Sequence, residues 1–84
     1  MKEEVNIEKG REEDKLTTFM KDFFDKVNEY NESNPENPID IMVLSRDKKG
    51  GASFLIGNTD HLIMELYEVS VRHHGFKEFL RNVK

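Results

Sequence analysis

Chemistry in this chain would have to come from three histidines, four serines and the carboxylates, because there is no cysteine. His73 and His74 are adjacent, so on a helix they would point about 100° apart and could not readily share one ion. His61 lies twelve residues upstream of His73. None of these spacings forms a zinc motif such as His-Glu-x-x-His, so exposed histidines near a helix end are expected, not a metal site. Nucleophilic catalysis needs a nucleophile, a base and an orienting group that converge. Ser33, Ser45, Ser53 and Ser70 stand neither in a Gly-x-Ser-x-Gly setting nor beside a histidine. The expectation is a protein that is not an enzyme and carries no cofactor.

Two further patterns could bind anions. Gly57-Asn58-Thr59-Asp60 follows an apolar run and opens a helical one, which is where a phosphate-binding turn would sit. It has a single glycine, no following lysine, and an acidic residue where the anion would lie, so it reads as a helix cap. The basic residues form the stronger pattern. Arg46, Lys48 and Lys49 cluster at one turn, and Arg72, Lys77, Arg81 and Lys84 enrich the C-terminal part. A basic β-ribbon can enter a groove of nucleic acid, and a basic helix can contact phosphates. Arg46, Lys48, Lys49, Arg72, Lys77 and Arg81 are therefore the candidate nucleic-acid contacts. Against them stand the net charge of −4, Asp47 within the turn cluster and Glu78 within the last helix.

The charge is unevenly placed. Residues 1–36 hold 11 acidic and 6 basic side chains; residues 37–84 hold 6 and 7. An acidic first half argues against coating of nucleic acid by the whole chain. Lysines dilute the acidic helix, so mimicry of nucleic acid is disfavoured, and solvated faces are the plainer reading.

The elements that would position these groups follow from periodicity. From Glu12 to about Asn31, Leu16, Phe19, Met20, Phe23, Phe24, Val27 and Tyr30 recur at spacings of three and four. That is the stripe of an amphipathic helix, and its rings are expected to pack on a sheet. Glu12, Glu13 and Asp14 would occupy its first turn, at the positive end of the dipole. Asn31 to Pro38 carries two prolines and ends the helix in a polar connector.

Ile39 to Gly57 then reads as a β-hairpin. Ile39, Ile41 and Val43 alternate with Met42 and Leu44, and Ala52, Phe54 and Ile56 alternate with Ser53 and Leu55. Asp47-Lys48-Lys49-Gly50 suits a tight turn with a positive φ at Gly50. A helix from about Asp60 to Arg72 follows, capped by Asn58 or Thr59. Its inner stripe is expected at Leu62, Ile63, Leu66, Tyr67 and Val69 or Ser70. His73-His74-Gly75 suggests a stop with Gly75 left-handed. A short helix carrying Phe76, Phe79, Leu80 and Val83 closes the chain.

The expected build is α+β in the order α-β-β-α-α, an antiparallel hairpin covered by helices. Residues 11–84 form one domain, and residues 1–10 a flexible or weakly ordered N-terminal arm. Glu4-Val5-Asn6-Ile7-Glu8 does alternate, so a third strand is the competing reading.

At 84 residues the core is small, since such chains bury roughly 60–65% of their unfolded surface. Two strands with apolar residues on both faces need more cover than one helix supplies. We therefore expect a homodimer in which hairpins pair edge to edge into a larger sheet, with Met42, Leu44 and Leu55 as the candidate dimer contacts. The expected function is a small non-catalytic protein-interaction or regulatory module. A nucleic-acid-binding accessory protein is the alternative. The charged N-terminal residues, the lack of cysteine and the lack of a long apolar run point to a cytoplasmic protein off the membrane.

Overall fold

A computed structural model of the chain describes residues 2–7 and 14–83. The fold is α+β: three antiparallel strands and three helices. The chain runs β1 (Lys2–Ile7), α1 (Lys15–Ser33), β2 (Ile41–Asp47), β3 (Gly50–Gly57), α2 (Thr59–Arg72) and α3 (His74–Asn82). A strand comes first, so the expected order α-β-β-α-α is corrected. β1 pairs with β3 from Lys2↔Gly57 to Ile7↔Ala52, which makes β3 the centre of a β1-β3-β2 sheet. The reason lies in the alternation already noted: Val5 and Ile7 fall opposite Phe54 and Ala52, on the apolar face. The remainder of the expected arm, Met1 and residues 8–10, lies outside the described residues.

The hairpin has the expected turn. Asp47 pairs with Gly50, Lys48 and Lys49 form the loop, and the Asp47 carboxylate accepts a hydrogen bond from the Lys49 amide at 2.8 Å. Gly50 takes φ 138°, a region that side chains rarely adopt.

One face of the sheet carries Ile41, Val43, Ala52, Phe54 and Ile56, and α1 covers it. Met20 and Val27 of α1 are buried against Ala52, Phe54 and Ile56, with Leu16, Phe23 and Phe24 packed around them. Phe54 is held edge-on by two rings, Phe23 at 5.3 Å and Phe24 at 5.5 Å between centroids. Such pairs add about 0.5–1.5 kcal/mol each beyond area burial. Phe19 and Tyr30, expected in the same stripe, are exposed at its margins.

α1 starts at Lys15, not near Glu12. Asp14 is its cap, accepting from the Thr17 amide at 2.8 Å. Glu12 and Glu13 lie outside the described residues. The helix also runs past Asn31, to Ser33, with Asn34 as its C-cap. Asn31 is buried and clasps the Ile39 backbone, accepting from its amide at 2.9 Å and donating to its carbonyl at 3.3 Å. That clasp sets the end of the connector beside α1 and starts β2 in the right place.

Candidate functional site: an apolar groove on the second sheet face

The opposite sheet face carries Met42, Leu44, Ser53 and Leu55, with Glu4 and Asn6 on β1. α2 and α3 stand over it. They pack on one another and only sparsely on the sheet. α1 alone covers the first face, and α2–α3 lie towards the second without closing on it. Between them is a groove of about 640 Å³, bordered by Met42 and Leu44 of β2, Leu62, Leu66 and Val69 of α2, and Phe76 and Phe79 of α3. Glu65 and the backbone of Gly75 complete its border.

No residue of α2 or α3 is buried. Leu62, Leu66 and Val69 are half-buried at the groove, whereas Ile63, Met64, Tyr67 and Val71 point away from it. α2 is thus apolar on two sides. An apolar arc this broad, opposite the polar face of His61, Glu65, Glu68 and Arg72, is wider than one packing partner needs. Tyr67 is 69% exposed, Leu44 66% and Phe79 54%. Surface of this extent marks an interaction site more often than idle exposure.

The α2–α3 pair is positioned from the junction of β3 and α2. Asn58 caps α2, its side chain accepting from the amides of Asp60 and His61. Asp40, just before β2, reaches across to this cap. Its Oδ1 accepts from the Asn58 amide at 2.7 Å, and its Oδ2 lies 2.7 Å from Nδ1 of His61. An ionised carboxylate only accepts, so Nδ1 carries the proton of that bond. The Asn58 amide first, and His61 second, hold the Asp40 carboxyl below the usual aspartate range. The amides of this turn are taken by the chain's own side chains, that of Asn58 by the Asp40 carboxylate and those of Asp60 and His61 by Asn58.

The end of α2 differs from expectation. His73 closes it with an extended backbone, φ −127°, and its amide bonds the Val69 carbonyl. Gly75 lies inside α3, and only Gly50 and Gly57 take a positive φ among the described residues. The stop comes from a one-residue break between two helices, so no left-handed glycine is required.

The sequence-derived residues sort unevenly. Met42 and Leu44 line the groove; Leu55 pairs with Met42 on the same face but is not part of the groove's border. The expected pairing of two hairpins into four strands is altered, since β1 occupies the outer edge of β3. Lys48 and Lys49 are exposed at the hairpin tip, next to Arg46. Arg72 faces Glu65 at 3.7 Å and Arg81 faces Glu78 at 3.2 Å, while Lys77 is exposed on α3. Lys84 lies outside the described residues.

The Ser45 and Ser70 hydroxyls donate to the carbonyls of Ala52 and Tyr67. Among the described residues no three His, Asp or Glu side chains converge as metal ligands, and no helix is long and apolar enough to cross a membrane. The Asp40–His61 pair was not found by sequence reasoning. Its only signal is the hairpin register: Ile41 opposite Ile56 puts Asp40 beside Gly57. No family model matches the sequence, and no curated protein or solved structure matches the chain.

Proposed function

We propose that this chain is a small, non-catalytic interaction module of the cytoplasm, working through protein–protein contact at the groove and the α2–α3 pair. The observation that carries this reading is the absence of any buried residue in two adjacent amphipathic helices. Their apolar side chains border a groove instead of filling a core. A photo-activatable phenylalanine analogue in place of Phe79 tests it. Expressed at natural level in cells, this variant should give a protein adduct of defined mass. The same analogue at Lys48 should give none. No adduct from position 79 would contradict the reading.

A second reading, nucleic-acid binding, draws on Arg46, Lys48 and Lys49 at the hairpin tip. The ion pairs of Arg72 and Arg81 weaken its C-terminal half, since a paired cation offers less to a phosphate. A mobility shift of labelled DNA or RNA at low salt, lost in Lys48→Glu with Lys49→Glu, would favour it.

A further inference from the structure

The geometry points to a second copy of this chain as the occupant of the groove, in a two-fold dimer whose α2–α3 pairs cover one another and the exposed sheet faces. This inference rests on reading the same surface as an interaction face, and it names the partner.

Area is the first support. The chain presents 6818 Å² to solvent. A compact monomer of 9.9 kDa presents about 5,200 Å² by the scaling of folded proteins with mass. The surplus, taken over the whole chain, is roughly 1,600 Å², of the order one subunit contributes to an obligate homodimer interface. Shape agrees. The chain measures 38 × 36 × 17 Å with a radius of gyration of 14.3 Å. A compact domain of this length would have about 12 Å. It is a slab with an apolar side, the form of half a core.

Charge is the second support. The apolar surface is rimmed by Glu65 with Arg72 and by His74, Glu78 and Arg81, which face one another within the chain. A rim carrying both signs sets up no strong field for a highly charged partner. It suits an isologous contact, where the same patch meets itself and every residue of one copy has its counterpart in the other. The outward stripe of Ile63, Tyr67 and Val71 supplies what the groove lacks. Two-fold symmetry lets each copy offer a ridge to the other copy's groove.

Sedimentation equilibrium of the full chain and two variants tests this. At micromolar concentration the wild type should have twice the 9.9 kDa chain mass. Phe79→Glu at the groove and Tyr67→Glu on the ridge should each raise the dissociation constant about 30-fold or more, as loss of an interface anchor does. Lys48→Glu should leave it unchanged. Circular dichroism checks folding, and Leu44→Ser replaces any variant that fails. A dimer indifferent to these substitutions would overturn the inference, because it would place the contact elsewhere. So would a monomer. In that case an adduct from position 79 to a different protein would leave the interaction reading standing. A monomer without such an adduct would remove both.

Discussion

Asp40 and Gly57 meet where the sheet hands over to α2. Gly57 has φ 108°, and a Cβ on it would come within 2.9 Å of the Asp40 Cα. Gly57→Ala should therefore cost about 2 kcal/mol or more of stability in urea unfolding, from backbone strain and contact together. Asp40 contributes to the acid limb. Its carboxyl is held low by the Asn58 amide and then by His61, so its folded pKa lies below its unfolded one. As pH falls, the unfolded chain takes up the proton first. The stabilisation is present above the ordinary aspartate pKa of about 4 and is lost as pH drops through the lower folded value. Urea midpoints measured from about pH 6 to pH 2 should fall less steeply in Asp40→Asn than in the wild type over that window. Asn31 is the third such residue. Asn31→Ala leaves the Ile39 amide and carbonyl without their partner and should cost about 1–2 kcal/mol.

At the scale of elements, α1 with the sheet and α2 with α3 form two packing groups. The first has a core, centred on Phe54 and Ile56; the second has none of its own. Hydrogen exchange should report the difference. In Phe79→Glu, amides of α2 and α3 should exchange much faster than in the wild type, while β3 and α1 keep their protection. Equal acceleration in both groups would mean that α2 and α3 stabilise the sheet from within the chain. The hairpin and α1 were legible in the sequence because Ile41, Val43, Phe54 and Ile56 alternate and because Leu16, Met20, Phe23 and Val27 recur at helical spacing. β1 was harder to assign. It is a short edge strand whose core side carries Glu3 beside Val5 and Ile7, and Val5 stays half exposed, so a charged tail and a strand look alike. For α2 the spacing put Ile63 and Tyr67 in the inner stripe with Leu62 and Leu66, whereas the structure leaves Ile63 and Tyr67 exposed and only Leu62, Leu66 and Val69 half-buried. Helix placement depends on contacts that local periodicity does not encode. The cap pair Asp40–His61 spans 21 residues and becomes readable only once the strand register is known.

For the whole molecule, one observation dominates: a slab covered by α1 on one side and open, apolar and grooved on the other. An 84-residue chain has little core to spare, and a second polypeptide is the simplest source of the missing cover. The direct measurement is an isotope-filtered NMR experiment on dimers refolded from equal amounts of labelled and unlabelled chain. Tyr67 is largely exposed within one chain, on the side of α2 away from the groove, so contacts of its ring with Met42 or Leu44 methyls that pass the filter are intermolecular. Cross-peaks between the Tyr67 ring of one copy and the Met42 or Leu44 methyls of the other are the expected result. A spectrum in which the Tyr67 ring shows no intermolecular contact, at concentrations where the chain is soluble and folded, would contradict the proposed covering of this face.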